Sequence, residues 1–307
     1  MEIVFLGTGA AWGVPEVGCP CRICQKVRSL DEERTRSAYL IKGKETLLLD
    51  CGPDIRRQLE RQEVERLDAI LISHEHADHY LGLDDITAFR RRLSREKWQP
   101  IPTYATKAAW AVIKKSFGYL CGTLLEPRII KPGERIAGLA TDIYPFKTFH
   151  GDSAPGSVGF IIEEDLSGNA HKLIYTSDFF DVPKLDGRLM EPDFLILQSH
   201  WLNEPLVNRA HSLSLERGVD FIQAWKPKSR IFLVHISEAY PIEGDPANEA
   251  LKKVAPKKPM KDPKTRLPYT LPTCQTEWQS VAEKVLQDRG IPTPVQVASD
   301  GLKVRLW

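Results

Sequence analysis

Apolar residues in this chain gather in short runs bounded by glycine, proline and polar turns, a pattern of strands interrupted by brief helices. Ile3–Leu6, Ala38–Ile41 and Thr46–Leu49 read as strands, separated by turns such as the one at Gly43. Pro53 introduces a helix from Asp54 to Glu63, as proline suits a helix start. Leu67–Ser73 is an apolar strand that stops at a dense histidine cluster. Helices over Leu83–Arg95 and Lys107–Phe117 flank a strand at Ile101–Tyr104. Further strands are expected at Ile136–Thr148, Ser157–Glu163, Lys172–Thr176 and Phe194–Leu197. A helix at Leu215–Ala224 precedes the strand Arg230–Val234. The pattern closes with a helix, Glu277–Arg289, and a hairpin of Val295–Ala298 with Leu302–Leu306 through Asp300-Gly301. Strands followed by helices in each half predict an α/β layered sandwich, with two sheets inside and helices outside.

Composition narrows the class. Over 307 residues, 42 Lys+Arg face 41 Asp+Glu, and 42% of the chain is apolar, an ordinary globular balance. The net charge of +1 gives no global pull toward nucleic acid or an anionic membrane. Arg90-Arg91-Arg92, with Arg95 and Lys97, therefore reads as a solvated helix face. No apolar run approaches the roughly 18 residues that span a bilayer. Met1–Gly7 lacks a basic leader and breaks at glycine, so it reads as a strand rather than a signal peptide, and a cytoplasmic protein is expected. Pro246, Pro256, Pro259, Pro263, Pro268 and Pro272 punctuate a lysine-rich stretch near 245–275, read as a solvated surface loop, with a flap over a substrate site as the alternative.

The candidate chemistry begins at His74-Glu75-His76-Ala77-Asp78-His79. In extended chain, residues i and i+2 point the same way, so His74 and His76 can grip one ion together. As the chain turns, Asp78 and His79 swing to a neighbouring position. Imidazole and carboxylate at this density suit Zn, Fe or Mn, and two ions better than one. Other strand ends offer His150, Asp178 and His235 in order. His200, at a further strand end, could line the same pocket. Cys19, Cys21 and Cys24 crowd into six residues, too close to bridge one another and most of a closed tetrahedral zinc site, while Cys51, Cys121 and Cys274 are scattered.

H-x-H-x-D-H followed by a lone His, a lone Asp and a last His resembles the metallo-β-lactamase superfamily. The resemblance runs from Gly7 to His235 and implies a four-layer αββα sandwich, here as one domain over 1–307. It implies that His74, His76 and His150 hold one divalent ion, that Asp78, His79 and His235 hold a second, and that Asp178 bridges them. Asp50 matches the early aspartate kept behind those ligands. The opening Gly7-Thr8-Gly9-Ala10-Ala11-Trp12-Gly13-Val14-Pro15 and the C-x-C-x-x-C loop near 15–30 are similar to the phosphoribosyl cyclic phosphodiesterases of phosphonate breakdown. In that family the cysteine loop holds a structural zinc. Its fourth ligand, a histidine there, corresponds here to Glu238, which zinc also accepts. Arg209-Ala210-His211-Ser212 resembles the segment supplying a catalytic histidine, so His211 is expected to donate a proton to the leaving oxygen or to stabilise transition-state charge, with Asp78 counted among the catalytic residues as well as the ligands.

The implied reaction is hydrolysis of a small cyclic phosphodiester by a hydroxide generated at two Mn, Zn or Fe ions about 3.5–4 Å apart. Small members of such families are often dimers, which leaves a homodimer open without fixing the oligomeric state, and no membrane partner is expected. Rival readings are a tRNA 3′-end or other nuclease, disfavoured by the lack of a basic arm, and a thioester or lactone hydrolase on the same metals. A flavodiiron redox role is disfavoured by His76, where those proteins carry Glu. A non-catalytic metal scaffold has no use for a bridging Asp178.

Overall fold

The computed structural model describes residues 1–307. One sheet begins with an antiparallel meander, β1 (Glu2–Gly7), β2 (Ala38–Lys42) and β3 (Thr46–Leu49), and continues in parallel through β4 (Ala69–Leu71), β5 (Ile101–Ala105) and β6 (Leu125–Ile129). The second sheet repeats that plan. β7 (Asp142–Lys147), β8 (Val158–Leu166) and β9 (Asn169–Tyr175) form a meander, and β10 (Phe194–Gln198), β11 (Arg230–Val234) and β12 (Val295–Val297) follow in parallel. A last strand, β13 (Lys303–Arg305), pairs antiparallel with β1.

Alternation along the strands explains the layering. Ile3 and Phe5 of β1 face inward to meet Phe160, Tyr175 and Phe232 of the other sheet. Val4 and Leu6 face outward, in a second core with Trp110 and Ile113 of the helix α5 (Lys107–Phe117). Across the molecule, Phe232 and Val234 point inward, whereas Ile231 and Leu233 pack under Val219, Ile222 and Trp225 of α6 (Leu215–Trp225) and Trp278 of α7 (Gln275–Asp288). Strands covered on both faces need apolar residues at every position, which is why their sequence reads as unbroken apolar runs. Three cores between four layers make the αββα sandwich expected from the sequence. No helix is long and apolar enough to cross a membrane.

Several local expectations need correction. The terminal hairpin does not form: β12 joins one sheet and β13 the other. Ala298 N donates to Leu233 O, while Gly301 N donates to Phe5 O, so the turn between them carries the chain across the sandwich. Asp300 fastens the crossing by accepting from Thr8 N and Oγ1 and from Thr35 N and Oγ1, at 2.6–2.8 Å. The helix expected at Leu83–Arg95 is a single 3₁₀ turn, Leu81–Asp84, and a short helix, Thr87–Arg91. Only Phe89 of that short helix is buried, so little packing sustains a longer one. The strand expected from Ile136 begins at Asp142, after a turn with Gly138 at φ +87°. Helix α1 (Arg22–Ser29) and strand β6 carried no signal strong enough to be read.

The proline-rich stretch is more than solvated covering. Met260 and Tyr269 are buried in the core beneath α6 and α7. Leu206 N donates to Ala255 O and Lys257 N to Glu204 O, stapling the stretch to the 201–206 loop. Backbone pairing of this kind needs no helical or alternating pattern, which is why the sequence concealed it.

Replacing Asp300 with Ala strands four donors at the crossing. Chemical denaturation is expected to show a loss of about 2 kcal/mol, with the metal content of the folded protein unchanged. An unaltered midpoint would mean that the crossing is held by its backbone pairs alone.

Candidate metal centre

The functional side chains stand on one rim, where strands end and the chain turns away. Asp50 follows β3, His74–His79 follow β4, His150 follows β7, Asp178 follows β9 and His235 follows β11. Four non-glycine residues at this rim adopt left-handed backbone: Asp50 (φ 60°), Ser177 (φ 55°), His211 (φ 46°) and His235 (φ 57°). Such conformations are costly and concentrate where side-chain aim matters more than local comfort.

Two donor groups result, each with its ligand atoms within 4.8 Å of one another: His74, His76 and His150; and Asp78, His79, Asp178 and His235. His76 Nδ1 and His150 Nε2 converge at 3.1 Å. His79 Nε2 is 3.2 Å from Asp78 Oδ2 and 3.4 Å from Asp178 Oδ2. That Asp178 oxygen is also 3.8 Å from His150 Nε2, in the first group, while Asp178 Oδ1 is 3.0 Å from His235 Nδ1. Asp178 belongs to the second group and is the side chain of that group that comes within 3.8 Å of the first.

Four of the five imidazoles are aimed by a partner on the far nitrogen, whereas the Nδ1 of His235 meets both Asp178 and Ser37. Ser73 Oγ donates to Asp50 Oδ2, so it accepts from His74 Nδ1 at 2.9 Å and leaves Nε2 free. His79 Nδ1 donates to Asp50 Oδ2 at 2.9 Å, and His150 Nδ1 to the His211 carbonyl at 2.9 Å. His76 Nε2 lies 3.0 Å from Ser153 Oγ. Such partners fix tautomer and orientation for metal binding. His74 Nε2 is buried with no partner, and His79 Nε2 and Asp178 Oδ1, though close to Asp78 and His235, make no well-directed hydrogen bond. Unpaired buried atoms on imidazole and carboxylate, pointing together, fit divalent metal ions and would otherwise be costly.

Charge tells the same story. Burial pulls the His74 imidazole well below its ordinary pKa and His150 down to about 4. Burial acts on His79 too, but Asp78, Asp50 and Asp178 outweigh it and hold that imidazole well above the ordinary range. Burial likewise opposes the Asp178 charge, yet His235 and His79 keep its carboxyl well below the usual range. The two loops carrying ligands are pressed together: a Cβ on Gly52 would meet Asp78 O at 2.1 Å, and one on Gly82 would meet Gly52 O at 2.1 Å.

A cavity of about 620 Å³ opens over this rim. His200, just after the end of β10, is one of its walls, with a buried Nδ1 that has no partner. Arg209, Ala210 and Ser212 line it as well. His211, expected as a catalytic residue, is not itself in that lining: its ring packs beside Gly151, 5.6 Å from Phe149 and 6.3 Å from Phe180, centroid to centroid. Its carbonyl, on His150, gives it a positioning role that the sequence did not suggest. Ser73, Ser153 and Tyr175 were also invisible in the sequence, because serines and tyrosines in strand-end turns carry no spacing signal.

The Cys19, Cys21 and Cys24 sulfurs form a third group. Cys21 caps α1, which returns Cys24 one turn later to the same side. A hydrogen bond from Cys24 holds the Cys21 thiol down at about 4, the thiolate form that a zinc site requires. Glu238 is not part of that group. Its carboxylate accepts a 2.5 Å hydrogen bond from Lys252 Nζ, which also pairs with Glu16. The acid expected as fourth ligand is thus already engaged by a lysine of the proline-rich stretch.

Residues 45–236, more than half of the chain, match the family model of the β-lactamase superfamily domain. The chain belongs to the metallo-β-lactamase superfamily. Among curated proteins, an octanoyltransferase of Porphyromonas gingivalis is 46% identical over 89 residues, 28% of this chain and 18% of that protein. Coenzyme PQQ synthesis protein B of Methylorubrum extorquens is 27% identical over 183 residues, 53% of this chain and 56% of that protein. Ribonuclease Z of Methanosarcina mazei is 30% identical over 172 residues, 54% of this chain and 49% of that protein. The chain thus spans from under a fifth to just over half the length of these relatives. Among solved structures, a diphosphatase of the PhnP family has a TM-score of 0.68 at 24% identity, covering 99% of this chain and 96% of that one. Zinc-bound PqqB of Methylobacterium extorquens has a TM-score of 0.70 at 20% identity, covering 100% of both. At these identities the likeness is one of fold. As a member of this superfamily, the chain has the fold of a metal-binding hydrolase.

Asp50 touches no expected ligand atom, yet it receives Ser73 N, Ser73 Oγ, His79 Nδ1 and Tyr175 OH at 2.7–2.9 Å. Its replacement by Ala is expected to weaken metal affinity by about 10–100-fold, read by competition with a chelating dye. Unchanged affinity would mean that His79 is aimed by its packing alone.

Proposed function

We propose that this chain is a metal-dependent phosphodiesterase acting on a small phosphodiester. The observation that carries the reading is two adjacent donor groups beneath one cavity, with Asp178 lying 3.4 Å from His79 of its own group and 3.8 Å from His150 of the other. His74, His76 and His150 would hold one divalent ion, and Asp78, His79 and His235 the other, with Asp178 between them. When bound, such ions supply Lewis acidity toward phosphoryl oxygens and make a water-derived nucleophile available near neutral pH.

The chain's own residues do the rest. Asp50 and Ser73 fix the tautomers of His79 and His74, so that each offers a lone pair to the rim. Asp78 and Asp178 put negative charge where cations are required and leave the cavity able to accept an anionic diester only once those cations are present. In the overall reaction, water adds to phosphorus, one P–O ester bond breaks, and the departing oxygen takes up a proton. His211, beside the cavity through Ala210 and Ser212, is the donor proposed for that proton. The likeness to the PhnP-family diphosphatase and to ribonuclease Z supports phosphorus chemistry as the class. The same likeness to ribonuclease Z favours nucleic-acid cleavage as the second reading. The cysteine group is proposed to hold a structural zinc that pins the loop leading to α1.

Two measurements test the reading. With Mn and then Zn supplied, an activated phosphodiester is expected to turn over and the matching monoester is not. Asp178→Ala should lose one metal equivalent and nearly all of that turnover. Lack of diester hydrolysis in protein carrying two metals would return the site to thioester or lactone chemistry, or to a scaffold. His211→Ala is expected to keep both metals while kcat falls by about 10²–10⁴-fold. A drop in metal content instead would leave His211 only its carbonyl role on His150.

A further inference from the structure

The cavity over the metal centre has an unusual lip. Three large apolar side chains reach it from three separate segments: Trp12 from the turn after β1, Val207 from the loop before α6, and Leu251 from the proline-rich stretch. Trp12 is 71% exposed and Val207 50%, and Leu251 is fully exposed. Single exposed apolar residues are unremarkable, but convergence on the mouth of one functional cavity marks a binding surface. The floor is polar and the lip also carries the cation Arg209. A phosphate group with a small sugar would meet the floor and Arg209, and would leave the apolar lip bare.

Shape separates the two kinds of apolar arm that could cover it. An aliphatic chain gains by being enclosed on all sides, and these residues form an open rim. A planar ring gains by stacking on one flat face while its polar edge stays in water. Trp12 presents such a face. Its neighbours Ala10, Ala11 and Gly13 add almost no bulk beside the indole.

We infer that the cavity takes a phosphodiester of which one arm bears a nucleobase or similar aromatic ring, stacked on Trp12 while Arg209 meets the phosphate. This rests on the phosphodiesterase reading above and specifies its substrate class.

Two esters with the same leaving group separate the arms: thymidine 5′-(4-nitrophenyl) phosphate carries a base, and methyl 4-nitrophenyl phosphate does not. In metal-loaded protein, kcat/KM should favour the thymidine ester by about 10-fold, expressed in KM, and Trp12→Ala should bring that ratio close to one. A readout independent of turnover is thymidine 5′-monophosphate quenching tryptophan fluorescence, a quench that Trp12→Phe abolishes. Trp12 is exposed, so neither variant disturbs the core. A ratio and a quench both insensitive to Trp12 overturn the inference. Tighter binding of decyl phosphate than of the nucleotide also overturns it, by assigning the lip to an aliphatic chain. Turnover of neither ester, with a Trp12-dependent quench intact, supports the stacking surface and overturns the phosphodiesterase reading instead.

Discussion

Three carboxylates, Asp50, Asp78 and Asp178, are buried together at one rim, and no lysine or arginine is among the groups that hold them. Buried negative charge is tolerated only when paired. Asp50 is answered by four hydrogen-bond donors, and Asp178 and Asp78 by the imidazoles of His79 and His235. Those imidazoles lie against one another, and His79 lies against His74, which in turn packs on His76 and His150. Imidazoles give only partial compensation, because several cannot be charged at once in so small a volume. Divalent cations resolve the conflict, and the rim is organised around that requirement.

The requirement reaches into the backbone. Left-handed conformations at Asp50, Ser177 and His235 turn three strand ends within reach of one another. Gly52 and Gly82 let the β3 and β4 turns touch, with Cys51 N on His79 O and Gly82 N on Cys51 O. The inter-sheet core then supports the arrangement from below: Tyr175 lies among its apolar side chains and sends its hydroxyl to Asp50. Packing, strain and electrostatics meet in a single side chain.

The sequence was most legible where a chemical pattern is local. The H-x-H-x-D-H run needs no tertiary knowledge, and the doubly covered strands betray themselves by unbroken apolar runs. Asp178 was legible only in company, as one of three strand-end candidates with His150 and His235, and Asp50 only through resemblance, because a lone aspartate after a strand is common. Legibility failed where long-range pairing decides. Val295–Ala298 and Leu302–Leu306 carry every local mark of a hairpin, yet Leu233 and Phe5 claim their ends for different sheets. Glu238 occupies a ligand's place in the pattern, but Lys252 reaches it from a segment whose composition suggested only solvent. The contribution of Leu251 to the cavity was hidden for the same reason.

The crossing from β12 to β13 also sets an order of events during synthesis. Every residue expected at the catalytic metals precedes residue 236, so the whole ligand set leaves the ribosome well before the two strands that finish the sheets. Until then β1 and β11 each present an open edge, a template for the wrong neighbour. The hook of Asp300 on Thr8 joins residues 292 apart and comes late in assembly. An early-made ligand set inside a late-closed frame leaves an interval in which the nascent chain can capture metal before its sheets are sealed.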